Sequence, residues 1–131
     1  MIKKLRHVGV VVENLERAIH KFKGFGLECK EVMEIKELGV QIAFFPVGDT
    51  LIELLHYTAD KLPSVIREQR GIINHLCFEV DNIEASIQDF EKNGGKLVEG
   101  FPRAGAHGRV AFFYPETTEG ALIEICQVQN D

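Results

Sequence analysis

HVGVVVENLERAIHKFKGFG, residues 7–26, decides the fold, because HLCFEVDNIEASIQDFEKNG, residues 75–94, lies over it at a constant offset of 68 without a gap. Self-similarity at a fixed spacing marks a duplicated structural unit. His7 falls on His75, Val12 on Val80, Asn14 on Asn82, Ile19 on Ile87, Phe22 on Phe90 and Gly26 on Gly94. The same offset sets Ala43-Phe44-Phe45 over Ala111-Phe112-Phe113. The second copy then carries three extra residues in the turn YPETTEG, after which Leu51-Ile52-Glu53-Leu54 matches Leu122-Ile123-Glu124-Ile125.

Each copy reads alike. The β-branched runs Val8 to Val12 and Leu76 to Val80 predict strands, with Asn14 and Asn82 as helix N-caps. Leu15, Ala18, Ile19 and Phe22, like Ile83, Ile87 and Phe90, recur at helical spacing, and the glycines at 24 to 26 and 94–95 provide the stops. Three more strands follow in each copy, near 28–35, 40–46 and 50–57, and near 96–101, 109–114 and 121–128, with glycine and proline turns between them. The order is therefore βαβββ twice. A module of about 55 residues buries its helix and sheet poorly alone, so the pair is expected to associate. The expected fold is α+β: tandem pseudo-symmetric βαβββ modules forming a cupped mixed sheet with the helices outside. Module 1 covers about 1–57, a linker about 58–73, and module 2 about 74–131, all within one domain spanning 1–131. Leu62, Val65 and Ile66 predict a short amphipathic helix in the linker, beginning near Pro63-Ser64.

Composition narrows the function. Fifteen basic residues against 20 acidic ones give a net charge of −5, which argues against binding a nucleic-acid backbone. No apolar run approaches the roughly 20 residues that span a bilayer. The opening Ile2-Lys3-Lys4-Leu5-Arg6 runs into an alternating strand, not the apolar core of a signal peptide, so the protein reads as cytoplasmic. Cys29, Cys77 and Cys126 are odd in number and far apart, which fits buried thiols better than a disulfide framework or a thiolate zinc site.

The chemistry is carried by two carboxylates. Glu53 and Glu124 each interrupt a strand that is otherwise apolar on both faces, and a buried carboxylate either neutralises or finds a cation. Each module also offers a histidine on its first strand, His7 and His75. Two imidazoles and two carboxylates suit one divalent ion, whether zinc, cobalt, nickel, manganese or iron. The plain alternative is that each is an ordinary hydrogen-bonded core residue; recurrence of both pairs weighs against it, because drift readily replaces a buried carboxylate by an apolar residue.

These residues resemble the vicinal oxygen chelate superfamily over almost the entire chain. That resemblance implies metal ligands at His7, Glu53, His75 and Glu124, with open positions for a bidentate oxygen substrate. Within the superfamily, HVGVVVENLERAI, NHLCFEVDNIEASI and RAGAHGRVAFFYPETTEGALIEIC resemble the methylmalonyl-CoA epimerase family most. The family pattern differs in having a second histidine where this chain has Asn74 and a proline where it has Tyr57. The implied activity is epimerisation of an acyl-CoA thioester by proton abstraction beside a metal-chelated carbonyl, in a homodimer that engages neither nucleic acid nor membrane. Glu37 matches a catalytic glutamate of that family, and Glu124 is the second acid/base candidate. His107 and Gly108, in the glycine-rich turn, are candidates to border substrate, since such turns allow close backbone approach. Arg103 and Arg109 are candidates to meet a carboxylate or phosphate. A glyoxalase I-like lyase is the alternative, although Val11 and Tyr57 stand where glyoxalases keep an arginine and an asparagine. A non-catalytic small-molecule binder of the same superfamily is a third reading.

Overall fold

Two asparagines start the two long helices in the same way. The Asn14 side chain accepts a hydrogen bond from the Arg17 amide at 2.9 Å, and the Asn82 side chain accepts one from the Ala85 amide at 3.0 Å. Helix α1 spans Leu15–Gly24 and α3 spans Ile83–Lys92; each is followed within two residues by a glycine of positive φ, Gly26 or Gly94, which the helix C-terminus requires. A computed structural model describes residues 1–68 and 73–129; linker residues 69–72 and the last two residues of the second module lie outside the described residues.

The strands are β1 (Ile2–Val11), β2 (Glu31–Ile35), β3 (Val40–Val47), β4 (Thr50–Tyr57), β5 (Ile73–Val80), β6 (Arg103–Ala104), β7 (Gly108–Phe113) and β8 (Ile123–Val128). The chain divides into two compact units, His7–Asn74 in the first, and Met1–Arg6 with the chain from His75 in the second. In the first unit the strand order is β2-β3-β4-β1; in the second it is β1-β5-β8-β7-β6, with β1 represented by its opening residues. Lys3 fixes that opening segment by an ion pair with Glu79 of β5 at 3.2 Å. Pairing is parallel for β1 with β4 and for β5 with β8, and antiparallel within β2-β3-β4 and β6-β7-β8, so the sheet is mixed. Among the described residues no helix is long and apolar enough to cross a membrane.

Side chains alternate across a strand, and this alternation sorts each unit into a core face and an opposite face. In the first unit Ala43, Phe45 and Leu54 form the buried centre, and Leu15, Ala18, Ile19 and Phe22 of α1 pack on it together with Val10 and Val12 of β1. The residues between them, His7, Gly9, Phe44 and Glu53, therefore lie on the face away from α1. In the second unit Phe113 packs edge-on against Phe90 of α3 with ring centroids 5.2 Å apart, which leaves Phe112 on the opposite face.

The linker helix α2 spans Ser64–Arg67, with Leu62 and Ile66 buried, as their spacing predicts. The second module departs from expectation at its second strand. Where 96–101 reads as a strand, only an isolated bridge from Leu97 to Phe113 forms, and the ladder proper is the two-residue β6 further on. Gly100 at φ 87° turns the chain, and Pro102 has no N–H to donate. Strands β1 and β5 begin earlier than their β-branched runs, at Ile2 and Ile73, so neither histidine opens its strand. Strand β2 begins at Glu31, later than expected.

Candidate functional site

The candidate ligands form one pair in each unit. On β1, Gly9 sits beside Glu53 of the parallel strand β4, and His7, two residues earlier, shares its face. The His7 imidazole Nδ1 meets Glu53 Oε2 at 2.9 Å. In the second unit Cys77 of β5 sits beside Glu124 of β8, and His75 is two residues earlier. The His75 Nε2 meets Glu124 Oε1 at 3.0 Å. Each pair is thus set by the same parallel register within its own unit.

All four side chains are deeply buried, His7 at 6% exposure, Glu53 at 5%, His75 at 3% and Glu124 at 5%. The surroundings are aromatic in both units. Across the antiparallel ladder Phe44 stands opposite Glu53, and Phe112 stands opposite Glu124. Phe112 also packs edge-on against His75, with centroids 5.3 Å apart, and against Phe101 at 5.2 Å. Sequence reading passed over these two phenylalanines; the repeated Ala-Phe-Phe held the signal, since in each copy the first ring faces the carboxylate and the next serves the core.

The donor set fits a divalent ion. Two nitrogen or oxygen ligands about 2.1 Å from one ion are roughly 3.0–3.4 Å apart, close to the separation within each pair. Imidazole with carboxylate is a donor combination for zinc, cobalt, nickel, manganese or iron, and the apolar walls strengthen the interaction of a cation with the carboxylates.

The remaining candidates lie elsewhere in their units. Glu37 is exposed, in the turn joining β2 to β3. Arg109 projects from the core side of β7 and is ion-paired with Glu84 of α3, so the carboxylate it meets belongs to the protein's own helix. Arg103 pairs with Val110 and so lies on the Glu124 side of its sheet. Gly108 opens β7, and His107 accepts a hydrogen bond at its carbonyl from the Gln129 amide at 2.9 Å. A Cβ at Gly108 would stand 2.1 Å from the Gln127 carbonyl oxygen, so close approach to β8 accounts for this glycine without a ligand. Gly108→Ala is accordingly expected to destabilise the fold by about 2 kcal/mol, read by chemical denaturation. Unchanged stability would mean that β8 yields without cost. Asn74, where the family pattern has a histidine, is buried and donates to the Ile66 carbonyl at 3.0 Å, anchoring α2. His56 lies on the opposite face from Glu53, with its Nδ1 3.4 Å from the Val12 carbonyl oxygen, and His20 is exposed on α1.

Comparison with known proteins adds an independent line. Residues 6–113 match the family model described as "Glyoxalase/Bleomycin resistance protein/Dioxygenase superfamily". The chain is 34% identical over 129 residues to mouse "Methylmalonyl-CoA epimerase, mitochondrial", covering 95% of this chain and 72% of that protein. It is 33% identical over 134 residues to the "Ethylmalonyl-CoA/methylmalonyl-CoA epimerase" of Cereibacter sphaeroides, covering 98% of this chain and all (100%) of that protein. The solved structure of methylmalonyl-CoA epimerase from Mycobacterium tuberculosis, 22% identical, superimposes with a TM-score of 0.86 over 98% of this chain and 90% of its own, which demonstrates a common fold.

Proposed function

The chain belongs to the glyoxalase/bleomycin resistance protein/dioxygenase superfamily, and from that premise we propose that it is a divalent-metal-dependent epimerase of methylmalonyl-CoA or a closely similar acyl-CoA thioester. The observation that carries this reading is the recurrence of one buried His–Glu pair in each unit, at 2.9 and 3.0 Å. Epimerase relatives aligned over nearly the whole chain support the choice of reaction. His7, Glu53, His75 and Glu124 would together hold the ion. Bound there, it supplies Lewis-acid polarisation of the carbonyl oxygen beside the reacting carbon.

The protein's own groups then manage the proton. The carbon between a thioester and a carboxylate loses its proton to a base on one face, leaving a planar enolate of the thioester; return of a proton to the other face inverts the centre. Glu37 is proposed as the base on one face and Glu124 as the acid/base on the other. Phe44, Phe101 and Phe112 exclude water around the carboxylates, which favours proton transfer between fixed groups. Glu37→Gln is expected to abolish interconversion while one stereoisomer still exchanges its proton with solvent. Loss of exchange from both isomers alike would remove Glu37 from this role. His107 and Gly108 are proposed to border the substrate. We read the protein as a cytoplasmic homodimer, with Cys29, Cys77 and Cys126 as free thiols suited to a reducing compartment.

The decisive assay is solvent deuterium exchange into methylmalonyl-CoA with a panel of divalent ions. The expected result is one deuterium at the central carbon together with interconversion of stereoisomers. Absence of exchange with every ion, with turnover of the glutathione hemithioacetal of methylglyoxal instead, would transfer the protein to lyase chemistry.

A further inference from the structure

The two modules differ at one place behind the sheet. In the first unit Leu27 follows α1 and packs on the cluster of Ala43, Phe45 and Leu54 alongside Phe22. Its counterpart by the 68-residue offset is Gly95, and the counterpart of Phe25 is Asn93. A cavity of about 240 Å³ opens in the second unit where the leucine is missing, Phe25 itself being exposed in the first. Phe78, Phe90, Phe113 and Ile123 line it, and Thr117 and Thr118 border it from the turn that is three residues longer in this copy. It lies on the α3 side of its sheet, whereas Glu124, next to Ile123 in β8, is on the other side.

The local structure keeps the cavity from filling itself. The Gly95 amide bonds the Phe90 carbonyl at 2.8 Å to close the helix, and a Cβ at Gly95 would stand 2.9 Å from that same oxygen. No side chain enters from this position without moving the end of α3. The polar groups at the border are already engaged. The Thr117 hydroxyl donates to the Tyr114 carbonyl at 2.8 Å and accepts from the Lys96 amide at 3.1 Å, the Thr118 hydroxyl donates to the Pro115 carbonyl at 3.2 Å, and the Asn93 amide donates to the Asp89 carbonyl at 2.9 Å. An occupant therefore meets three aromatic rings and two isoleucines, Ile123 and the half-exposed Ile2 at the rim. The pocket opens to solvent, and water inside it finds few polar partners on these walls, so an apolar occupant displaces it readily.

We propose that this cavity is a binding site for a small uncharged hydrocarbon group, the size of a benzene ring or of the leucine side chain that the first module places there. An apolar cavity of about 150 Å³ already accepts benzene, and three phenylalanines offer edge-to-face contacts to an aromatic guest. The site is separate from the His–Glu pairs and does not depend on the epimerase reading.

The test is a benzene titration of the full chain, followed by the methyl resonances of isoleucine and threonine. The expected result is saturable shifts confined to Ile123, Ile2, Thr117 and Thr118, with a dissociation constant on the order of 1 mM. Ile123→Phe, which puts a ring into the cavity, is expected to weaken binding at least tenfold while leaving the remaining methyl spectrum folded. Asn93→Phe, at a position that lines the cavity, provides a second variant and should also weaken it. Shifts that do not saturate, shifts spread over the surface, or binding unchanged in both variants would overturn the proposal. So would a concentration-dependent dimer that protects these methyls and dissociates on Ile123→Phe, since the occupant would then be a second copy of the chain.

Discussion

Removing the proposed ion with a chelator, or replacing Glu124 by alanine, is expected to lower kcat/KM for the proposed epimerisation by about a thousandfold or more. Lewis-acid stabilisation of several kcal/mol is at stake, and each 1.36 kcal/mol is about tenfold in rate. Glu53→Ala belongs to the other module yet is expected to produce a loss of similar size, because the proposed ion draws on both pairs. The check is steady-state kinetics of each variant with a metal titration. Readdition of ion should rescue the chelated wild type fully and the variants only at much higher concentration. A Glu53→Ala enzyme with unchanged metal affinity would separate the pairs and end the four-ligand description.

The second large effect concerns stability. His75→Ala removes the imidazole 3.0 Å from a carboxylate that is 5% exposed and faces Phe112. Removing the partner of a buried carboxylate typically costs about 3–5 kcal/mol, because the carboxylate keeps its desolvation cost. Chemical denaturation of metal-free protein should show that loss. Replacing the pair together, as His75→Phe with Glu124→Leu, should recover most of it, since apolar side chains of similar volume satisfy the same space. Recovery would mean that the fold does not need the pair, which leaves function as the reason for keeping it. If the double variant is as unstable as the single one, the pair is a structural fixture and the case for a ligand role weakens.

The duplicated halves were legible because their signals are local. Asparagine caps, helical spacing of Leu15, Ile19 and Phe22, and paired glycines act within a few residues, and the repeat let each copy check the other. The recurrence of one histidine and one glutamate in each module was legible, whereas the parallel register that sets Glu53 beside Gly9, with His7 on the same face, comes from the structure. What was not legible depends on residues distant in sequence. Arg109 gave no sign of its partner, because Glu84 lies 25 residues earlier on α3. Gly108 reads as a close-approach glycine, and the nearest oxygen to a side chain there belongs to Gln127, 19 residues later. Asn74 looked like a departure from the family pattern, and its hydrogen bond to Ile66 makes it an anchor for the linker. The second strand of module 2 was misplaced because propensity outweighed Gly100 and Pro102 in the reading, while in the ladder a missing donor and a turn prevail.

X-ray absorption of the protein loaded with one equivalent of zinc tests most directly whether the repeated pairs serve a single ion. Two imidazole nitrogens together with carboxylate oxygens are expected in one coordination shell at about 2.0–2.2 Å. A shell containing only one imidazole, with a second equivalent of zinc taken up in the same way, would contradict it.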